Sequence, residues 1–230
     1  MKHPFLLQNF IEKNDNVKSY ENKFAVVDLS KISSNKRQYI GFEQLLEIRG
    51  VLMVTRGEVN IVIDSIPYDL TENRILILEG QHIVSRVYFS DDCAGHCLIF
   101  DNDYLEMLVH EGKPPRELMT NIRLNPVIEF SNDDFAVLRG VIERIYADLI
   151  RSNHAFLSGI FDNALRIFNY ELWNAILNNR RIKIDAETPY EQTAAQFIKL
   201  LHDNFRTRHE LSFYAATLCV STVFLTRAMK

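Results

Sequence analysis

The sequence predicts an α+β protein in which a β-rich first part is followed by helices. From Lys23 to Phe100, short apolar runs separated by turn residues recur about every ten residues, which is typical of a β-sandwich or β-barrel. After Ser131 the apolar residues recur at a helical spacing instead. With 47% hydrophobic and 24% charged residues, the 230-residue chain can bury a core and is not a disordered or repetitive protein.

Six apolar runs are predicted as strands, at residues 24–29, 51–55, 59–64, 74–78, 86–90 and 96–100. The turns between them are predicted at residues 56–58, 64–67, 71–73 and 79–80, because each contains Gly, Pro, Asn or charged residues. A short helix is predicted at 101–110, and a last extended segment at 125–130, since Pro126 disfavours helical geometry at Asn125. We place the first domain at residues 1–130.

Two helices are predicted between residues 131 and 180. Ser131 with Asp134 is a helix-capping pair, and a second apolar helical stripe begins at Phe156. Residues 181–188 are predicted as a linker. Thr188 as a cap, Pro189 in the first turn and Glu191 then predict the start of a small helical domain at residues 189–230.

The segment Leu211–Lys230 has the pattern of a helix-turn-helix. This motif needs two short helices held at a fixed angle by a tight turn, with a small residue where they approach. Ala215 is that small residue, Ser212 and Ser221 are predicted caps, and Cys219 stands in the turn where glycine is commoner. The residues predicted to be buried are Tyr214, Leu218, Val220, Leu225 and Ala228.

If the motif binds DNA, its second helix enters the major groove with its N-terminal residues towards the base edges. The predicted DNA-binding residues are Ser221, Thr222, Val223, Thr226, Arg227 and Lys230. The Val223 methyls suit a thymine methyl, and the cations suit phosphates or, for Arg227, a guanine. An amphipathic helix pair without a DNA-binding role has the same spacing and stays open as the alternative.

The terminal segment resembles the first helix-turn-helix of the AraC/XylS family of bacterial transcription regulators. Ser212, Ala215, Leu218, Ser221 and Leu225 stand at positions typical of that family, and Thr226-Arg227 replaces the common serine–arginine pair. Residues 50–81 resemble the family's cupin-like N-terminal domain, and residues 131–180 its helical dimerisation hairpin.

The resemblance implies a cupin-like β-barrel that receives an effector or docks, and a homodimer formed through the hairpin. We expect the dimer interface at Leu138, Ile142, Ile145 and Leu149, provided that this apolar stripe is exposed in the monomer. The family carries two helix-turn-helix units, whereas this chain ends at Lys230 inside the first. We therefore expect a fragment that binds DNA weakly by itself, since phosphate contacts dominate affinity.

An enzymatic reading finds no support in the residues. The metal-dependent cupin enzymes need closely spaced histidines, but the barrel region offers only His82 and His96, and neither H-x-H nor G-x-S-x-G occurs. Cys93, His96 and Cys97 are three possible metal ligands close together in the sequence, but a fourth ligand is lacking. We therefore predict no metal and no cofactor. A cyclic-nucleotide-type regulator, a cupin ligand sensor without DNA binding and a cupin enzyme remain as alternatives.

The predicted partners are DNA, a small-molecule effector and a second copy of the chain, with no membrane. Residues 196–230 carry a net charge of +3 within a chain of net charge −4, which suits a terminal module that binds a polyanion. Three cysteines suggest no disulfide framework, and no apolar run is long enough to span a bilayer, so we predict a cytoplasmic protein. Polar residues near the strands, whose facing the alternation leaves open, are Arg49, Tyr68, Gln81, His82 and Arg86.

Overall fold

A computed structural model confirms the α+β class. It describes residues 7, 11, 17–32, 38–39, 44–45, 49–80, 82–109, 114–151, 154–179 and 189–229. The strands are β1 (Val17–Tyr20), β2 (Phe24–Asp28), β3 (Gln38–Tyr39), β4 (Gln44–Leu45), β5 (Arg49–Arg56), β6 (Val59–Ile63), β7 (Ile66–Leu70), β8 (Arg74–Leu78), β9 (Ile83–Phe89), β10 (Ala94–Phe100) and β11 (Val127–Glu129). The helices are α1 (Asn102–Leu108), α2 (Arg116–Leu124), α3 (Asn132–Ile150), α4 (Leu157–Asn178), α5 (Pro189–Asn204), α6 (Leu211–Thr217) and α7 (Thr222–Ala228).

The strands form two antiparallel sheets. The larger sheet has the order β1-β2-β10-β5-β8-β11, and the smaller has the order β3-β9-β6-β7 with β4 also paired to β9. Buried residues of both sheets, such as Leu52, Val54, Ile61 and Ile63, form one shared core. The resemblance implied a closed cupin-like barrel, but the described strands form two facing sheets, which is the sandwich that the apolar runs also allowed.

The other face of the larger sheet packs on helices. The ring of Phe24 in β2 lies 5.2 Å from that of Phe161 in α4, in an edge-to-face arrangement, and both side chains are buried. Lys31 Nζ lies 2.7 Å from the Tyr146 hydroxyl of α3 and 3.1 Å from Asp28 Oδ2. The chain is therefore layered as sheet, sheet and helices in this part.

The turn at Arg56-Gly57-Glu58 carries the chain from one sheet to the other. Gly57 has a φ of +73°, and a Cβ there would lie 2.9 Å from Cys93 Cα. Arg56 Nε donates to the backbone carbonyl of Asp92 at 3.0 Å, and this hydrogen bond stabilises the turn. A side chain at position 57 would meet both a strained backbone and a clash, which explains the glycine.

The predicted turn at residues 64–67 is shorter in the structure. Only Asp64 and Ser65 form the turn, both with positive φ, and Ile66 and Pro67 belong to β7. Proline is expected to break a strand because it cannot donate to the ladder. It is tolerated here because β7 lies at the edge of its sheet. The predictions also missed β1, whose polar sequence VKSY gives no apolar run.

The chain divides into two compact units. The sheet unit comprises residues 1–113 and 125–179, and the terminal unit comprises residues 114–124 and 180–230. Residues 114–124 were predicted within the first domain, but they contain α2 and belong to the terminal unit. The sequence signal for this helix is the spacing of Leu118 and Ile122, which lie one helical turn apart. Both side chains are buried in the structure. The predicted linker at 181–188 lies outside the described residues.

The helical hairpin α3–α4 forms as predicted, with Ser131 as its cap. Ser131 Oγ accepts the backbone N–H of Asp134 at 3.1 Å. The expected dimer stripe, however, lies inside the sheet unit: Leu138 is 0% exposed, Ile142 and Ile145 are 1% exposed, and Leu149 is half-buried. The requirement that this stripe be exposed in the monomer is not met, because the same apolar face packs within the unit itself.

Among the described residues, no single helix has the length and apolar composition needed to cross a membrane. The pair α6 and α7 meets that test only when the two are taken together, across a break that bends them by 93°.

Candidate nucleic-acid interface

The terminal helix pair, which we define as α6, the turn Leu218–Val220 and α7, turns sharply at Cys219. Cys219 has a φ of +57°, the left-handed conformation that glycine adopts most easily. Its N–H donates to Ala216 O at 3.1 Å, and the Val220 N–H donates to Ala215 O at 2.9 Å. These two bonds form a Schellman motif, which ends α6 and satisfies its last carbonyls. The bend of 93° lies within the range for a helix-turn-helix.

A small aromatic and aliphatic core fixes the angle between the two helices. Tyr214 and Ala215 are 2% exposed and Leu225 is 0% exposed. The ring of Phe197 in α5 lies 5.4 Å from that of Tyr214, edge to face. Tyr214, Ala215 and Leu225 are therefore buried as the sequence predicted, whereas Leu218, Val220 and Ala228 are only half-buried.

Of the two predicted caps, one is formed and one is not. Ser221 caps α7, because its Oγ accepts the Phe224 N–H at 3.0 Å. Ser212 lies inside α6, whose cap residue is Glu210 and has no side-chain capping bond. The prediction of Ser212 as a cap was wrong, since the helix begins at Leu211, two residues earlier than a Ser212 cap requires.

The predicted base-reading residues lie on the exposed side of α7. Ser221, Thr222, Thr226 and Arg227 are exposed, and Val223 is 60% exposed, which is high for an apolar side chain. The Thr226 hydroxyl donates to the Thr222 carbonyl at 2.8 Å, so it presents its methyl group and an acceptor oxygen rather than an unused donor. Lys230, the sixth predicted residue, lies outside the described residues.

This face of α7 has the chemistry of a base-reading surface. Arg227 forms no ion pair within the described part of the chain, so its charge is available to an external anion or to a guanine edge. Val223 offers methyl groups for a thymine methyl. Ser221 and Thr222 supply short hydroxyls at the helix N-terminus, where the base edges are expected.

The polar residues that the sequence left without a role lie in the sheet unit. Arg49 lies 3.3 Å from Glu79, and the buried His82 lies 2.7 Å from Asp64 through its Nδ1 atom. Tyr68 packs against the core, and its pKa is raised by burial and by the Asp64 carboxylate. Arg86 is exposed. Gln81 lies outside the described residues.

The side chains of Cys97 and His96 do not point towards a common metal site. Cys97 points into the core between the sheets, where burial raises its pKa to about 12. His96 is its neighbour on the same strand and faces the opposite side, with its ring 5.1 Å from that of Tyr146. Burial lowers the pKa of His96. Side chains on opposite faces of a strand cannot share one ion.

No family model and no curated protein sequence matches the chain. Similar solved structures include apo ToxT from Vibrio cholerae, at 15% identity, 90% coverage of this chain, 74% coverage of that chain and a TM-score of 0.45. ToxT with an unsaturated fatty acid bound is 14% identical to this chain, with 92% of this chain and 74% of that chain covered and a TM-score of 0.43. The AraC-like transcriptional activator CuxR is 12% identical, with 90% of this chain and 67% of that chain covered and a TM-score of 0.37. These structural neighbours are AraC-family regulators.

Proposed function

We propose that this chain is a sequence-specific DNA-binding regulator of transcription, of the AraC type, that reads bases with α7. The observation that carries the proposal is the presentation of α7. A Schellman turn and a side-chain cap fix its start, Leu225 anchors its inner side, and Val223, Thr222 and Arg227 face outwards. A valine exposed this far is costly in water and gains from contact with a thymine methyl.

The sheet unit has the regulatory role in this proposal. Its two sheets and helical hairpin hold no group of three or more metal-binding side chains in the described residues. Its conformation can bias the terminal unit only through an effector or a partner that binds one state better than another. We therefore assign effector response and dimerisation to the sheet unit and base reading to the terminal unit.

The dimer is proposed to form through the exposed side of α4 rather than through the buried stripe. From Phe156 onwards, residues at alternating steps of four and three line one side of this helix: Phe156, Ile160, Asn163, Ile167, Tyr170, Asn174 and Leu177. Ile167, Tyr170 and Leu177 are 52%, 48% and 49% exposed. This is the spacing of a coiled-coil seam, and buried asparagines in such a seam fix the register of two helices. A second copy of the chain is the partner that such a repeat fits.

The experiment that tests the DNA-binding proposal is selection from a pool of random duplexes at low salt, using the purified chain. The expected result is enrichment of a short sequence motif. The matched variant is Val223→Asp, which places a carboxylate on the outer face of α7 without touching its buried side, and it should abolish enrichment. Retention by the chain of all sequences equally would contradict base reading.

A further inference from the structure

A second basic feature of the terminal unit lies outside α7, in the segment between α5 and α6. Arg206 and Arg208 are both exposed there. The Arg206 guanidinium lies 5.6 Å from the centroid of the Phe205 ring, and that of Arg208 lies 5.2 Å from the Phe213 ring. Across the described ranges, neither guanidinium forms an ion pair with a carboxylate. Two positive charges therefore lie two residues apart in the sequence, and neither is neutralised by a described carboxylate.

The backbone of this segment is fixed to the unit's core. The Asn204 carbonyl accepts the N–H groups of Thr207 and Arg208, each at 2.9 Å. The Tyr214 hydroxyl donates to the Arg208 carbonyl at 2.6 Å, and Tyr214 itself is buried in the terminal helix pair. The position of Arg208 thus depends on the same side chain that sets the angle of the two helices.

The aromatic rings reduce the freedom of the two side chains. A guanidinium over a ring face is attracted by the ring quadrupole, by about 0.5–1 kcal/mol at exposed sites. An arginine held in this way loses less rotamer entropy when it binds a ligand. Its planar fork matches the oxygens of a phosphate, and no carboxylate of the described residues occupies it.

We propose that Arg206 and Arg208 form a phosphate clamp that binds the sugar–phosphate backbone of duplex DNA. This inference rests on the proposed function and adds to it a contact that carries no sequence information. Contacts to phosphates set the position and affinity of a protein on DNA, while contacts to base edges set its preference. The clamp and α7 therefore have separate signatures in binding experiments.

The test is the salt dependence of binding to a short duplex of random sequence. Each phosphate contact contributes about 0.9 to the slope of log affinity against log salt concentration. Arg206→Ala and Arg208→Ala are each expected to lower that slope by about 0.9, and the double variant by about 1.8. Arg206→Lys and Arg208→Lys keep the charge and should keep the slope. Arg86→Ala removes an exposed arginine of the sheet unit that also has no ion pair among the described residues, and it should change nothing.

The outcomes separate the clamp from the base reader. Unchanged slopes in both alanine variants, or an equal effect of Arg86→Ala, would overturn the clamp even if selection still finds a motif. The expected slopes without any enriched motif would leave the clamp standing and remove the sequence-specific reader. Failure of the wild-type chain to bind the random duplex at low salt, or binding of heparin alone, would overturn the clamp.

Discussion

Cys219 holds the turn of the terminal helix pair in a conformation that costs a non-glycine residue about 1 kcal/mol. Replacing it with glycine removes this strain but gives the unfolded chain more freedom. We expect Cys219→Gly to stabilise the helix pair by about 0.5 kcal/mol, which is roughly a twofold gain in hydrogen-exchange protection at Leu225. Ala216→Gly, at an exposed position inside α6, is the control and should cost about 1 kcal/mol. Equal losses in both variants would show that the turn is not strained.

Asp148 gives the sheet unit a dependence on pH that can be assigned to one side chain. Its carboxylate is buried and accepts a hydrogen bond from Arg144 Nε at 2.7 Å, which lowers its pKa. A lowered folded-state pKa stabilises the fold above the unfolded value of about 3.9 and ceases to do so as the pH falls through the folded value. We expect Asp148→Asn to cost about 1 kcal/mol at neutral pH, because Arg144 is exposed and solvent screens its attraction to the carboxylate.

The measurement is urea unfolding of the wild type and Asp148→Asn from pH 7 downwards. The difference in unfolding free energy should stay constant near neutral pH and shrink below about pH 4. Glu58→Gln, an exposed carboxylate without an ion pair in the described residues, should show no such difference. A difference between the wild type and Asp148→Asn that persists unchanged into acid would refute the assignment.

At the scale of the element, the start of α7 depends on one hydroxyl. Ser221→Ala leaves the Phe224 N–H without its side-chain acceptor and should cost about 1 kcal/mol. Ser212→Ala is the matched control, because Ser212 lies exposed inside α6 and makes no capping bond there. Hydrogen exchange at the α7 amides should accelerate about fivefold in the first variant and hardly in the second. The same acceleration in both would place the cap at the wrong serine.

The elements that could be predicted are those whose signals are local. Ser131 and Ser221 were found as caps because a serine three residues before its partner is a pattern within one turn. Pro67 was placed in a turn because its position at a sheet edge depends on which strands pair, and that is not a local property. The wrong cap at Ser212 shows the same limit, since a helix boundary shifts by two residues without any change in the apolar pattern.

At the scale of the whole molecule, the face that a helix buries was the main uncertainty. The stripe at Leu138, Ile142 and Ile145 was identified as apolar, but periodicity cannot say whether the chain itself or a partner covers it. Likewise, α2 follows β10 and α1 in sequence but belongs to the terminal unit. The exposed positions of α7 could be predicted because the helix-turn-helix pattern is short and continuous, whereas their contact with bases stays a prediction.

The proposed dimer is tested by the solution mass of variants on the two faces of the hairpin. Ile167→Glu, on the exposed side of α4, should give a monomer with unchanged circular dichroism, because Ile167 is 52% exposed in the single chain and a glutamate there remains in water. Ile145→Glu buries a charge within the sheet unit and should unfold it instead. Val137→Glu, exposed on α3 and outside the repeat, is the control and should remain dimeric. A dimeric Ile167→Glu variant would remove this face of α4 from the interface.

A methyl-deletion cycle is the sharpest test of base reading by the outer face of α7. The duplex enriched by selection is compared with copies in which each thymine in turn is replaced by deoxyuridine, for the wild type and for Val223→Ala. We expect one replacement to weaken wild-type binding about fourfold, which is the value of one buried methyl group, and Val223→Ala to bind both duplexes equally. If Val223→Ala discriminates between the duplexes as strongly as the wild type, Val223 contacts no thymine and the base-reading role of α7 is contradicted.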